Sequence, residues 1–296
     1  MTPHLKGILM VSVSAFGFAT LGIFAKFSYQ MQFSFQSTLA WRFGLSALIL
    51  FLLMSLKKEW RLSAKQWPPA LLLGLVGYAT QATIYFLALQ HLSAGLTALI
   101  LYAYPAFVTL LEWAIERKVP TKTTLFALLM AFVGIVLTTQ VEGKVSLLGI
   151  GLALLSGIWY AVYLMVSSRV IHNTHPVPTT AFLSLGAALA FVTWAILGSG
   201  FDVPDAMGEG LLLLGIATVA TVIPVIGIFY GIQLLGTSQT AILSTLEPVF
   251  TLLLGFVLLK ETLEPVQLLG GALVLISVIT LQLRQAYLRS RAVKVS

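Results

Sequence analysis

The sequence predicts an all-α membrane protein whose ten transmembrane helices form two inverted five-helix repeats. Three observations support this fold class. The 296-residue chain is 58% hydrophobic and only 9% charged, with a mean hydropathy of +0.98, whereas about a quarter of the residues in soluble domains are charged. Uncharged runs of about 20 residues, the length that a helix needs to cross a bilayer, recur along the chain. The two halves of the sequence also resemble each other.

Apolar runs separated by charges, proline and glycine mark the predicted helices. Long continuous runs favour helices over the strands of a membrane barrel, which would alternate apolar and polar residues. The first run is too long for the core of a signal peptide, so we interpret it as a retained span. The predicted spans are, in chain order, 5–27, 36–56, 69–90, 94–115, 122–141, 147–168, 177–198, 210–234, 238–259 and 265–284.

The basic residues predict the orientation of the chain. An even number of spans puts both termini on one side of the membrane. Of the 17 Lys and Arg residues, only Lys26, Lys144 and Lys260 fall on the opposite side, and Arg42 lies inside a span. By the positive-inside rule both termini are expected in the cytoplasm, with the chain in the inner membrane. This topology accounts for the net charge of +7, so no nucleic-acid partner is predicted, and the basic tail is interpreted as a membrane-surface anchor.

An internal duplication divides the chain into two parts. At one constant offset Phe86 aligns with Phe229, Thr97 with Thr240 and Pro105 with Pro248. Five helices in each copy is an odd number, so the second copy enters the membrane upside down. Inverted repeats are typical of secondary transporters, which expose one central site to each side in turn. The expected units are a first repeat at 1–143, a second at 144–284 and a basic cytoplasmic tail at 285–296.

Two sequence stretches carry a resemblance to a known family. EPVFTLLLGFVLLKETLEPVQLLGGALVLISV, Glu247 to Val278, resembles the second-repeat signature of EamA-type exporters of the drug/metabolite transporter superfamily. YPAFVTLLEWAIERKVP, Tyr104 to Pro120, is the first-half counterpart, and Ala40 to Phe43 resembles the arginine-bearing second span. The resemblance implies a ten-helix exporter rather than an enzyme. Exporters of amino acids, including aromatic ones, look most similar, although the family also handles nucleosides, drugs and other metabolites.

The ninth predicted helix carries an unexpected polar face. Thr240, Ser244, Glu247 and Thr251 recur at helical spacing in an otherwise apolar segment. A charged side chain at the centre of a membrane helix costs about 2.5 to 3.5 kcal/mol and normally points into the bundle or into water. Glu247 is therefore a candidate for contact with substrate or proton, and proton coupling becomes an option. The alternative is a carboxyl group that only ties helices together.

Two prolines occupy equivalent positions in the repeats. Pro248 leaves the carbonyl of Ser244 without its helical donor, and Pro105 does the same to Leu101. Matched prolines predict matched kinks. The freed carbonyls could accept an ammonium group and the kinks could serve gating, or each kink could be static.

Aromatic and amide side chains predict a cavity between the halves. Their expected roles are to accept an apolar or aromatic side chain and to fix its polar head. Some could instead be interface anchors or packing residues with a satisfied polar tip. The candidates that share helix faces or flank the first kink are Tyr78, Gln81, Tyr85, Tyr102, Tyr104, Trp159, Tyr160 and Tyr163.

Three charged residues are expected near the side of the membrane opposite the termini. Arg42 lies close to the end of its span, where a long cation is expected to extend to the surface. The alternative reading makes Arg42 a partner for a substrate carboxylate or part of a gate. Lys260 and Glu261 are expected to be solvated boundary charges.

The sequence offers no support for chemistry that depends on ATP, a metal or a cofactor. No P-loop occurs, and His172 and His175 lack a third ligand for a metal, so neither ATP, a metal nor a cofactor is predicted. The working hypothesis is an exporter of amino acids with apolar or aromatic side chains that operates by alternating access. The alternatives are an exporter of another metabolite or drug class and a multi-spanning membrane enzyme or lipid-handling protein. Export as the direction follows from the resemblance alone.

Overall fold

A computed structural model describes residues 2–56, 62–116, 122–139, 146–170, 174–198, 200–262 and 264–295. Every regular element in these ranges is helical, which confirms the predicted all-α class. Lys144 and His172, considered above, lie outside the described residues.

The helices follow the predicted apolar runs. In chain order they are α1 (Pro3–Gln30), α2 (Phe35–Leu56), α3 (Trp67–Leu72), α4 (Ala79–His91), α5 (Ala94–Leu101), α6 (Tyr104–Glu116), α7 (Lys122–Thr139), α8 (Leu147–Val170), α9 (Pro176–Leu197), α10 (Met207–Ala217), α11 (Ile223–Leu235), α12 (Thr237–Ser244), α13 (Leu246–Leu259) and α14 (Pro265–Val295).

Ten membrane-crossing positions can be recognised in the described ranges. Nine helical stretches there are long and apolar enough to cross a bilayer, and the shorter apolar stretch Lys122–Leu137 stands at the tenth position. Four of the nine stretches combine consecutive helices: α3 with α4, α5 with α6, α10 with α11, and α12 with α13. The chain is therefore a multi-pass integral membrane protein.

Local sequence signals explain where several helices begin. The Thr2 side chain accepts a hydrogen bond from the Leu5 N–H at 3.3 Å, and Pro3 occupies the first position of α1. Ser93 caps α5 in the same way, with its Oγ 3.1 Å from the Leu96 nitrogen. Small hydroxyl residues satisfy N–H groups that have no helical partner, and proline lacks the N–H that would be unpaired there.

The fourth and ninth spans are interrupted immediately before the two matched prolines. α5 ends at Leu101 and α6 begins at Tyr104, while α12 ends at Ser244 and α13 begins at Leu246. Each interruption puts its proline in the first turn of the following helix, where a missing N–H breaks no helical hydrogen bond. The positions at which kinks were expected are thus helix breaks.

The third and eighth spans contain π-helical segments that the sequence analysis did not predict. They run from Leu73 to Tyr78 and from Thr218 to Val222. Tyr78 aligns with Thr221 at the offset of the internal repeat, so the segments are related by the duplication. In the second segment the Thr221 hydroxyl donates to the Ile216 carbonyl at 3.0 Å. Wide turns of this type are rare and occur frequently at functional sites.

The two sequence halves pack mainly against each other. α2 packs on α9 and α7 on α14, each helix meeting its own repeat counterpart. α1 packs on α11, and α8 packs on α4, which is the same pairing with the halves exchanged. These reciprocal contacts are those of an inverted repeat.

The helices approach closely where glycine faces backbone. A Cβ atom on Gly74 would meet the carbonyl of Leu183, and one on Gly186 would meet the carbonyl of Leu71. Small residues at such contacts allow membrane helices to pack tightly without an aqueous hydrophobic effect. They hold the first π-helical segment against α9.

Candidate functional site

A cavity of about 510 Å³ lies between the two halves. It meets the helix break of the fourth span, the end of the ninth-span helix α12, and the end of the first π-helical segment. The residues that were expected in a cavity from sequence and that line it are Tyr78, Gln81, Tyr85, Tyr102, Tyr104, Tyr160, Ser244 and Glu247. Arg42 lines it as well. Residues as distant in sequence as Arg42 and Glu247 thus converge on one space.

One hydroxyl bridges the two helix breaks. The Tyr102 Oη lies 2.7 Å from the Glu247 Oε2 and 3.0 Å from the Ser244 carbonyl oxygen. The carbonyl that Pro248 deprives of its helical donor is therefore partnered by a tyrosine of the other half. This corrects the expectation that the Ser244 carbonyl is free for an ammonium group.

Tyrosine rings form a continuous wall from Glu247 toward Arg42, which we call the tyrosine wall. The ring centroids of Tyr102 and Tyr104 are 6.1 Å apart, and those of Tyr104 and Tyr160 are 4.8 Å apart. Tyr78 ends the wall, and Tyr163 joins it to Tyr160 from behind, with its ring centroid 6.2 Å from that of Tyr160 and 5.7 Å from that of Tyr78. Offset and edge-on contacts at such separations are favourable and leave ring surfaces for another aromatic group.

Two of the candidate residues support the cavity from behind. The Trp159 indole N–H donates to the Gly77 carbonyl at 2.9 Å, inside the first π-helical segment. Tyr163 stacks between Tyr78 and Tyr160. Neither residue is among those that line the cavity, so the expectation of direct lining is wrong for Trp159 and Tyr163. Pro105 and Pro248 are not among the lining residues either, and each stands in the first turn after a helix break.

Arg42 does not extend to the membrane surface, contrary to the default expectation. Its side chain is 2% exposed and lines the cavity. The Nε donates to the Thr221 hydroxyl at 3.0 Å, the Tyr78 side chain is a second partner, and the Cζ lies 4.7 Å from the centroid of the Phe43 ring. Neighbouring acceptors and a cation–π contact hold the guanidinium inside the bundle.

Two amides add polar atoms to the cavity. The Gln81 Nε2 donates to the Ser156 Oγ at 2.9 Å. The Oε1 atoms of Gln81 and Gln282 are buried and have no hydrogen-bond partner among the described residues. Sequence reasoning missed Gln282, although an amide near the end of the otherwise apolar tenth span was a usable signal. It also missed Phe18, Leu21, Ile228 and Ile232, which line the cavity but have no distinguishing feature in an apolar sequence.

Two charged side chains are held at the end of the bundle opposite the termini, and one of them, Glu261, connects the two halves. Glu261 accepts hydrogen bonds from the Ala94 nitrogen at 2.8 Å and the Gly95 nitrogen at 3.3 Å. The Lys26 Nζ donates to the Leu92 carbonyl at 2.6 Å. Glu261 is thus a half-buried cap on α5, which corrects its interpretation as a solvated boundary charge. Lys260 is exposed as expected.

His175 has a structural position at the start of α9. Its Nδ1 accepts from the Val177 nitrogen at 3.3 Å, and its ring lies 4.6 Å from that of Phe229. Among the described residues, no group of three or more His, Cys, Asp or Glu side chains could hold a metal ion.

Comparison with known proteins extends this description. The chain is 26% identical over 277 residues to the uncharacterized transporter YcbK of Bacillus subtilis, which covers 89% of this chain and 88% of that protein. It is 29% identical over 240 residues to the threonine/homoserine exporter RhtA of Escherichia coli K12, with 79% and 78% covered. A solved crystal structure superimposes with a TM-score of 0.65 at 17% identity, over 96% of this chain and 99% of that one, which supports the fold alone.

The family comparison matches both halves of the chain. Residues 5–140 and residues 147–282 each match the EamA-like transporter family. The two matches together cover most of the sequence and contain the helix breaks and π-helical segments described above. The chain therefore belongs to the EamA-like transporter family and is a membrane transporter.

Proposed function

We propose that this protein is a secondary transporter of the cell inner membrane that exports small amphipathic metabolites, chiefly amino acids with apolar or aromatic side chains. The observation that carries the proposal is the cavity of about 510 Å³ between the repeats, walled by tyrosines. Small-molecule sites commonly have volumes of about 300 to 1,000 Å³, with mostly apolar walls and a few polar groups.

The polar groups of the cavity are suited to a zwitterion. Arg42 supplies a cation, Glu247 supplies an ionisable carboxyl group, and Gln81 supplies an acceptor. A strongly anionic substrate would require several cationic side chains, and Arg42 is the single Lys or Arg among the described lining residues. The balance of one cation and one carboxyl group favours a small substrate of low net charge.

The architecture supports alternating access. The proposed moving units are the repeats at 1–143 and 144–284, with the tail at 285–296 and both termini in the cytoplasm. Broken helices and repeat interfaces near mid-membrane are where secondary transporters bind substrates. In this chain the breaks precede Pro105 and Pro248, and the tyrosine wall connects them.

The name of one relative is consistent with an amino-acid substrate. RhtA is called a threonine/homoserine exporter, and those substrates are small and polar. The tyrosine wall of this chain provides large ring surfaces, so we propose larger apolar or aromatic side chains for its substrates.

Counterflow in proteoliposomes tests this function. Purified protein is reconstituted with unlabelled amino acid inside, and entry of labelled phenylalanine, tryptophan, leucine, threonine or glutamate is followed. Saturable counterflow is expected for the first three and the least for glutamate, because its extra negative charge has no second cation in the cavity. No saturable flux for any amino acid would exclude the proposed substrate class.

A further inference from the structure

The Arg42 guanidinium carries a charge that its described neighbours do not neutralise. Its neighbours in the described part of the chain are the Thr221 hydroxyl at 3.0 Å, the side chains of Tyr78 and Tyr85, and the Phe43 ring. All four are neutral. A charge that is only 2% exposed is normally paired with an opposite charge. An anion in the cavity would supply that pairing.

The geometry around Arg42 suits a carboxylate. A guanidinium presents five N–H donors in a rigid fork that matches both oxygens of a carboxylate. The contacts with Thr221 and Tyr78 engage only part of this fork, and Arg42 lines the cavity. Thr221 and Tyr78 belong to the two π-helical segments, one from each repeat. The cation is thus fixed in position from both halves of the protein.

A buried acceptor lines the same cavity as this cation. Gln81 stands about one helical turn after Tyr78, on the same side of the helix. Its side chain is 5% exposed and its Nε2 is committed to Ser156. Its Oε1 has no hydrogen-bond partner within the described residues. Since buried acceptors are almost always satisfied, this atom is suited to an N–H donor of a bound molecule.

We propose that Arg42 and Gln81 together bind the charged head of an α-amino acid, Arg42 through the carboxylate and Gln81 Oε1 through the ammonium group. This inference rests on the proposed function, because it orients an amino acid in the same cavity. The substrate side chain then lies along the tyrosine wall. Glu247 stays bound to Tyr102 and contributes its carboxyl group to the charge balance of the cavity, whereas Gln81 makes the direct contact with the ammonium group.

Three ligands with the same phenyl ring distinguish the proposed carboxylate contact from the proposed ammonium contact. Phenylalanine has both charged groups, 3-phenylpropanoate has only the carboxylate, and phenethylamine has only the ammonium group. Their affinities are measured on purified full-length protein in lipid nanodiscs by isothermal titration calorimetry. Wild type is expected to bind phenylalanine more tightly than either fragment, because only the amino acid engages both residues.

Two substitutions give opposite patterns. R42Q is expected to lower the affinity for phenylalanine and for 3-phenylpropanoate by at least about tenfold. The affinity for phenethylamine should change by less than about threefold. Q81L is expected to lower the affinity for phenylalanine and for phenethylamine and to leave the affinity for 3-phenylpropanoate nearly unchanged. R42K keeps the charge but loses the fork, so it is expected to show an intermediate loss that is again confined to the two carboxylates.

Controls keep the result interpretable. R169Q removes an exposed arginine at the end of α8 and should leave all three affinities unchanged. If R42Q does not fold, R42K tests the same assignment. The ratio of the affinity for 3-phenylpropanoate to the affinity for phenethylamine should then fall relative to wild type. An equal change for all three ligands, or no change, would overturn the head-group assignment while wild-type counterflow still supported the proposed function. Absence of amino-acid flux in wild type would overturn both.

Discussion

At the scale of single residues, the repeat duplicates the scaffold but not the chemistry. Glu247 aligns with Tyr104, and Thr221 aligns with Tyr78. One copy thus contributes a carboxyl group where the other contributes a ring, and one copy holds Arg42 with a threonine while the other uses a tyrosine. The tyrosine wall joins these unequal ends. A substrate therefore meets different groups on the two sides of the pseudo-symmetric cavity.

Substitution of Glu247 by glutamine tests whether this residue exchanges protons. The amide has the same shape and can keep its hydrogen bond with Tyr102, now 2.7 Å, so the unfolding temperature should change little. If Glu247 exchanges protons, transport by wild type depends on pH and transport by E247Q does not. Counterflow rates across a pH series make the measurement. E264Q, which removes an exposed carboxylate, is the control, and a pH profile shared by wild type and E247Q would reduce Glu247 to a structural role.

Asp202 provides a pH-dependent contact outside the membrane spans. It accepts from the Ser34 nitrogen at 2.8 Å and the Ser34 hydroxyl at 2.6 Å, just before α2 begins. Partial burial acts to raise the pKa of Asp202, but the hydrogen bonds with Ser34 and Ser37 outweigh it and hold the pKa below 3.8. The ionised carboxylate therefore stabilises the fold above that pH, and this contribution disappears as the pH falls through the lowered pKa.

At neutral pH the variant D202N should unfold at a lower temperature than wild type. Its free energy of unfolding should be lower by about 0.5 to 1 kcal/mol, because charge-assisted hydrogen bonds become neutral ones. The difference should vanish in strong acid, where wild type is protonated as well. Thermal unfolding of both proteins across pH measures this. D205N, on an exposed carboxylate of the same loop, should follow wild type, and a constant difference at every pH would contradict the ionic contribution.

At the scale of elements, interruptions in helices shape the cavity. The fourth and ninth spans break before prolines, and the third and eighth spans widen into π-helical segments. Each pair is related by the internal repeat. Breaks free backbone groups at mid-membrane depth, and such groups are tolerated only where protein or a water-filled space satisfies them. The Tyr102 hydroxyl donates such a hydrogen bond to the Ser244 carbonyl at 3.0 Å.

Replacement of Pro248 by alanine tests whether the break has a role in movement. The new N–H can bond to the Ser244 carbonyl and join α12 to α13, in competition with Tyr102. We expect unchanged or higher thermal stability and a lower maximal counterflow rate, because a continuous helix resists bending. P265A is the matched control, since Pro265 begins α14, where no helical N–H is required. A maximal rate equal to that of wild type would make the break static.

Close packing of α9 on the third span depends on glycine. A Cβ atom at Gly186 would lie against the Leu71 carbonyl oxygen, and backbone atoms cannot move aside easily. G186A is therefore expected to lose about 1 to 3 kcal/mol of stability, measured as a lower unfolding temperature. Gly151 has no heavy atom within 4 Å of the corresponding position, so G151A should be neutral or stabilising by up to about 1 kcal/mol. Equal behaviour of the two variants would contradict the packing argument.

At the scale of the whole molecule, the two repeats form one body through reciprocal contacts. Every principal helix pair that joins the halves recurs with the halves exchanged or lies on the pseudo-symmetry axis. Glu261 connects the halves at the end opposite the termini, through the Ala94 and Gly95 nitrogens. Opening of that end would require the contacts of Glu261 with Ala94 and Gly95 to separate.

Single cysteines test the orientation of this body. The natural chain has no cysteine, so an introduced one is labelled uniquely. With the termini in the cytoplasm, a membrane-impermeant maleimide should label D205C in intact cells and K65C only after permeabilisation. Both positions are exposed in loops, and labelling of K65C in intact cells would reverse the proposed orientation.

Much of the fold, and part of the site, could be predicted from sequence. Apolar runs identified the spans, and helical spacing brought Ser244 and Glu247 to one face. The same reasoning misjudged Arg42, because extension to the membrane surface depends on which neighbours can hold the guanidinium. It also missed the π-helical segments, because a single wide turn leaves no periodic signal in an apolar sequence. Glu261 was misread for a related reason, since its partners at Ala94 and Gly95 are distant in sequence.

The sequence by itself determined the membrane class, the helical secondary structure, the duplication and the family. These properties depend on hydropathy, periodicity and local similarity, all of which are written along the chain. Only the tertiary structure decided that Tyr102 satisfies the Ser244 carbonyl, that the tyrosine wall is continuous, and that Arg42 is held between the π-helical segments. Hydrogen bonds and charge pairing act through space between distant residues, so the chemistry of the cavity exists only once the two halves have packed together.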